Sequence, residues 1–130
     1  MKLIFFFLII PFFSFSQNEK ISDSSENGES LYQDFCLRCH MPNGKGVDGT
    51  FPPLAKSDFL FKQMEESIKA IKFGGIDGEI IVNGVKYNSK MEKIGLYDDE
   101  IADIMNYILN SWGNKYDKII TEEYVKSLKK

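Results

Sequence analysis

Histidine occurs once in this 130-residue sequence and cysteine twice, and the three stand together as Cys36, Cys39 and His40. So small a stock argues against a structural zinc site, which normally takes four protein ligands, and excludes a second imidazole from this chain on the same metal. A basic surplus is missing too. Lys and Arg number 16 against 19 Asp and Glu, for a formal net charge of −3, whereas nucleic-acid binding depends on a basic surface that neutralises phosphates. No internal repeat or low-complexity block is present.

The N-terminus differs from the rest. Lys2 precedes an unbroken apolar run from Leu3 to Phe13, followed by Ser14, Phe15 and Ser16 before Gln17. This is the layout of a secretory signal, with small residues three and one before the expected cut. At about 1.5 Å per residue the run reaches roughly 20 Å, short of the roughly 30 Å hydrocarbon core, so cleavage is expected over a retained anchor. No cysteine sits at the cut, which argues against a lipid anchor. Residues 1–16 are thus expected to be a signal peptide, residues 17–27 a solvated linker, and residues 28–130 a single domain in an oxidising, periplasmic compartment where two free thiols do not persist.

Hydrophobic periodicity outlines that domain. Leu31, Tyr32 and Phe35 share one side of a first helix from about Gly28 to Leu37, which ends on the cysteines. The stretch from Met41 to Lys56 holds four glycines and three prolines and is expected to be a long loop that wraps something. Ser57 can cap a second helix running to Phe73, with Leu60, Met64, Ile68 and Ile71 at helical spacing. The Asn83-Gly84 pair predicts a tight hairpin leading to Met91. Ile101, Ile104, Met105, Ile108, Leu109 and Trp112 mark the strongest helix, with Asp98 as its expected cap, and "TEEYVKSLKK" predicts a short surface helix at the end.

The motif Cys36-Leu37-Arg38-Cys39-His40 has the CxxCH spacing of c-type haem attachment. Cysteines three apart at a helix end lie on nearly one face, so each sulfur can form a thioether with one vinyl group, and the next residue carries its imidazole to the iron. A redox dithiol normally opens a helix after a strand, whereas helical signals surround this motif. A local disulfide would leave the glycine- and proline-rich loop with nothing to wrap. Zinc lacks a fourth ligand. These alternatives stand behind haem.

A sixth ligand is reached by exclusion. Met1 leaves with the signal, Met41 adjoins His40, and Met64 and Met105 fall in apolar helical stripes where methionine is usually core filler. Met91, in an unpatterned segment between Lys90 and Glu92, is the expected ligand, the alternative being a surface methionine and an open iron.

With CxxCH, a downstream "YNSKM" and an amphipathic last helix in this order, residues 28–113 resemble the class I monohaem cytochromes c of bacteria. "FPPLAKSDFL", "VNGVKYNSKM" and "NSWGN" add to the likeness. The resemblance implies the all-α cytochrome c fold: three main helices around one covalent haem c, a short β-hairpin before the axial methionine, and a C-terminal helical extension. It implies that the Pro52 carbonyl accepts from Nδ1 of His40, that Leu54 packs on the haem, and that Gly28, Tyr32, Ile104 and Tyr107 form the crossing of the first and last helices. The chain departs from the family at Glu92, where proline usually follows the methionine, and at Tyr97, where a small polar cap is usual.

The expected function is one-electron transfer with His40 and Met91 as axial ligands, by a monomeric carrier rather than an enzyme, between a redox donor and acceptor such as a terminal oxidase or reductase. Residues 17–27 could hold it near the membrane. Lys45, Lys86, Lys90 and Lys93 are candidates for steering toward an acidic partner. Rival readings are a dedicated haem subunit or donor of a respiratory oxidase or nitrite reductase and, if Met91 is not a ligand, a peroxidase-like or gas-binding haem protein.

Overall fold

The computed structural model describes residues 13–130, with side chains from residue 17 onward. The apolar run assigned to the signal, residues 3–13, lies outside the described residues except for Phe13. Six helices and one hairpin follow in the order α1 (Phe13–Phe35), α2 (Leu37–His40), α3 (Asp58–Lys62), α4 (Met64–Phe73), β1 (Ile80–Val82), β2 (Val85–Tyr87), α5 (Asp98–Ile108) and α6 (Glu122–Ser127). Among the described residues no helix is long and apolar enough to cross a membrane.

The first helix is the main difference from expectation. Residues 17–27 are not an irregular linker but part of α1, which runs unbroken to Phe35. Ile21, Ser24, Gly28, Leu31 and Tyr32 recur at helical spacing along its inner side, with Gly28 buried and Tyr32 1% exposed. Before Leu31 the stripe has Ile21 as its one large apolar side chain, followed by Ser24 and Gly28, too little to show a hydrophobic period. Ser24 donates to the Asp103 carboxylate and accepts from Asn106 Nδ2 at 2.9 Å. Both partners lie on α5.

Helices α1 and α5 cross at Gly28, where a Cβ would overlap the Asp103 carbonyl and stand 2.9 Å from Tyr107 Cβ. Close backbone approach there requires glycine. Beside the crossing, Tyr32, Tyr107 and Trp112 form a three-ring cluster with centroids 5.1 to 5.6 Å apart, tilted or edge-on as ring quadrupoles favour. The matching positions Gly28, Tyr32, Ile104 and Tyr107 therefore do meet, with Ile104 fully buried below them.

The second helix is divided. Ser57 caps α3 by accepting from the Leu60 N–H at 3.2 Å, and Gln63, at φ −124° and ψ 46°, turns the chain before α4. The change of direction lets Leu60 (3% exposed) and Ile68 (0%) both reach the core. The hairpin forms as expected, Ile80 pairing with Tyr87 and Val82 with Val85 around Asn83 and Gly84, both at positive φ. Its turn is docked: Asn83 N–H donates to Asp58 Oδ1 at 2.7 Å while Asp58 N–H donates to Asn83 Oδ1 at 2.9 Å.

The cap of α5 lies one residue before the expected Asp98. Tyr97 is the cap, its N–H donating to Glu100 Oε2 at 2.8 Å, and Asp98 is already helical, its carboxylate pairing with Lys72 at 2.9 Å. Helix α6 is not a surface appendage. Ile120, Val125 and Leu128 are buried against the core, and the Asn106 amide donates to the Ile120 carbonyl and accepts from its N–H at 2.9 and 2.8 Å.

Candidate haem site

The site begins where α1 gives way to α2. The N–H of Cys36 still donates to the Tyr32 carbonyl at 2.9 Å, and those of Cys39 and His40 both donate to the Cys36 carbonyl, at 3.1 and 2.9 Å. Cys36, Cys39 and His40 therefore stand at offsets of three and four on one helical face. Met41, at φ 65°, ends the turn, and the Tyr32 hydroxyl donates to its carbonyl at 2.7 Å.

All three side chains line a cavity of about 330 Å³. Its other walls come from Pro52 and Leu54 in the long loop, Ile71 of α4, Val82 of the hairpin, Met91 in the segment before α5, and Met105 and Ile108 of α5. The structure thus brings Cys36, Cys39, His40, Pro52, Leu54 and Met91 onto one surface. Met105 is there as well, though its side chain belongs to the buried α5 stripe at 1% exposed. Met91 is half-buried in irregular chain.

His40 Nδ1 lies 2.9 Å from the Pro52 carbonyl oxygen. Since a carbonyl only accepts, Nδ1 carries the proton and Nε2 is left with its lone pair for a metal. Burial lowers the imidazole's proton affinity while the Pro52 bond partly opposes it; the net effect favours the neutral form that ligates. Burial, followed by the neighbouring Cys39, pushes the Cys36 thiol up to about 11. Thiol–disulfide exchange needs a low-pKa thiolate, so this environment argues against a redox dithiol. Neither cysteine is bridged.

Two residues shape the site in ways the sequence does not show. A Cβ on Gly75 would stand 2.7 and 2.8 Å from the backbone N and O of Met91; glycine lets the end of α4 press against the segment bearing the methionine. Asn114 is buried and bonds to the loop and to α5 at once. Of the four candidate steering lysines, Lys86 pairs with Glu79 at 3.1 Å and Lys90 with Asp77.

The donor set fits a haem. The two cysteines and the histidine share a face, the cavity is walled mainly by carbon, and the imidazole presents one free nitrogen. Cys36 and Cys39 would hold the porphyrin through thioethers and His40 would hold its iron.

Comparison with known proteins agrees with this chemistry. The Cytochrome c family profile matches residues 25–112. The chain is 38% identical over 111 residues to cytochrome c-552 of Thermus thermophilus, covering 79% of this chain and 84% of that one. It is 28% identical over 110 residues to the cytochrome c subunit of alcohol dehydrogenase (quinone) of Gluconobacter oxydans, covering 78% of this chain but 22% of the subunit. With the cytochrome c subunit of gluconate 2-dehydrogenase of Pantoea cypripedii it shares 29% over 127 residues, covering 89% of this chain and 28% of that subunit. A haem-attachment motif, an apolar cavity beneath it and a family match over most of the sequence converge: the chain belongs to the cytochrome c family, with covalently bound haem c as its cofactor.

Proposed function

We propose that this protein is an exported one-electron carrier whose iron is held by His40 on one side and Met91 on the other. The observation that carries the reading is that Cys36, Cys39, His40 and Met91 line one cavity while Pro52 fixes the His40 ring. Bound haem supplies a one-electron iron couple. The chain's own residues do the rest. His40 donates from Nε2, backed by the Pro52 carbonyl, which makes the ring a better donor. Met91 would add a thioether that favours the reduced metal. Leu54, Ile71 and Ile108 exclude water, so a change of charge is met by a rigid apolar shell rather than by reorganising solvent.

A carrier fits better than an enzyme because, with His40 and Met91 both holding the iron, no position would be open to substrate, and the single histidine would be spent as a ligand with no second imidazole in the chain for acid–base chemistry. Residues 1–16 read as the export signal and place the reading in the periplasm. A second reading is that of a dedicated subunit or donor of one oxidoreductase, supported by relatives that are dehydrogenase cytochrome subunits. Stable co-purification with such an enzyme tests it.

The ligand is tested by optical spectroscopy. The oxidised wild type is expected to show a far-red sulfur-to-iron band that Met91→Ala abolishes and Met105→Leu retains. Loss with Met105→Leu instead would move the ligand to α5. No band in the wild type, together with carbon monoxide binding to the untreated ferrous protein, would mean an open iron and a gas-binding or peroxidase-like protein.

A further inference from the structure

The segment after His40 must fold back for Pro52 to meet the imidazole, and its return limb is held from several sides. The N–H groups of Leu54 and Ala55 donate to the Gly44 carbonyl at 2.7 and 2.9 Å. On the outgoing limb Trp112 Nε1 donates to the Pro42 carbonyl at 3.0 Å, and just before Pro52 the backbones of Val47 and Phe51 pair through two N–H···O bonds of 2.8 Å. Two side chains hold the end of the return limb, and one of them, Asn83, donates from Nδ2 to the Lys56 carbonyl at 3.2 Å. Asn114, 4% exposed, donates from Nδ2 to the carbonyls of Leu54 at 2.9 Å and Ile108 at 2.8 Å, while its Oδ1 accepts from the Lys56 N–H at 2.8 Å. Both amide hydrogens are used, and a single residue ties the limb to the end of α5.

We infer that Asn114 is a positioning residue for the haem site, setting through Leu54 the place at which the Pro52 carbonyl meets Nδ1 of His40. The inference rests on the reading of His40 as an iron ligand. Pro52 and Pro53 both have restricted φ, and each also limits the residue before it. The stretch to Leu54 is therefore stiff, and a shift of the Leu54 carbonyl is passed to Pro52 rather than absorbed between them. A lengthened Nδ1–H···O bond makes the imidazole a weaker donor, and outer partners of this kind tune the metal. A weaker donor stabilises the oxidised iron less, so the potential rises.

Asn106 supplies the comparison. It is as deeply buried, at 1% exposed, and makes three bonds of similar length, to Ser24 and to both backbone groups of Ile120. Those partners lie in α1 and before α6, and none leads to Pro52.

The experiment uses the haem-loaded full chain and compares wild type with Asn114→Ala, Asn114→Ser and Asn106→Ala. It reads three quantities: the midpoint potential, the NMR resonance and exchange rate of the His40 Nδ1 proton, and Tm. Asn114→Ala is expected to speed exchange of that proton and raise the potential. Asn114→Ser, which keeps one donor, should fall between. Asn106→Ala should lower Tm while leaving the proton and the potential in place. Asn114 variants that lower Tm alone would overturn the inference, as would an Asn106→Ala that moves potential and proton equally far. If Asn114→Ala yields no folded product, the serine variant decides by the same two readouts. Failure of the underlying ligand reading shows separately, in a wild type whose His40 ring resonances lack iron-induced shifts.

Discussion

Gly28 of α1 rests directly on the backbone carbonyl of Asp103 in α5, with no room for a Cβ between them. Two effects of Gly28→Ala oppose one another. Alanine favours the helix by about 0.5–1 kcal/mol, while forcing a methyl into a packed crossing costs about 1–3 kcal/mol. The obstacle is backbone, which cannot swing aside as a side chain can, so the clash should win. Denaturant unfolding of the holoprotein is expected to show a net loss of about 1–2 kcal/mol. A neutral or stabilising result would mean that the helices do not cross at this contact.

Asp58 provides a pH dependence. The Asn83 N–H above all holds its carboxyl below the usual range, against a desolvation effect that ranks next, with Lys62 and the Phe59 N–H adding to the lowering. A lowered folded-state value contributes stability that is present above the unfolded value, about 3.9, and is lost as pH falls through the folded one. Asp58→Asn keeps an acceptor for Asn83 and removes the charge. Its Tm should lie below wild type at pH 6, and the gap should close below about pH 4. A gap of constant size from neutral to strongly acidic pH would contradict this.

Attachment by two thioethers can be separated cysteine by cysteine. Each of Cys36→Ala and Cys39→Ala should keep haem on the polypeptide through denaturing electrophoresis by its remaining bond. Each should also leave one vinyl group unreacted, shifting the reduced haemochrome band to longer wavelength. The double variant should release the pigment. A single variant that is coloured when folded but loses all colour on denaturation would show that one sulfur alone makes the bond.

Steering by lysines should be weak. Lys86 is matched by Glu79 and Lys90 by Asp77, and the whole chain carries a net charge of −3. Between about 0.01 and 0.15 M ionic strength the Debye length falls from about 30 to 8 Å, so a steered reaction slows steeply over that range. Stopped-flow electron transfer to an acidic redox partner is expected to change little. Steep slowing, relieved in Lys45→Glu, would restore the steering idea.

The haem motif was legible because its information is local. Three side chains within five positions need only one turn of helix to share a face, and that turn forms through the bonds of Cys39 and His40 to the Cys36 carbonyl. The hairpin was legible for the same reason, since Asn83 and Gly84 carry the positive φ that a tight turn demands. Residues 17–27 differ from the expectation because their inward face is Ile21 with Ser24 and Ser25, and hydropathy cannot distinguish a small polar residue that packs closely from one left in water.

Sequence by itself determined the haem attachment, the strongest helix and the order of the elements, because each depends on chemistry within a few residues. The tertiary structure decided that α1 extends back through residues 17–27, that Gly75 makes room for the Met91 segment, and that one buried asparagine ties the Pro52 limb to α5. These depend on groups 16 to 82 positions apart in the chain. Their value comes from burial and from hydrogen bonds that have no substitute once water is excluded, and neither exists until the chain has closed on itself.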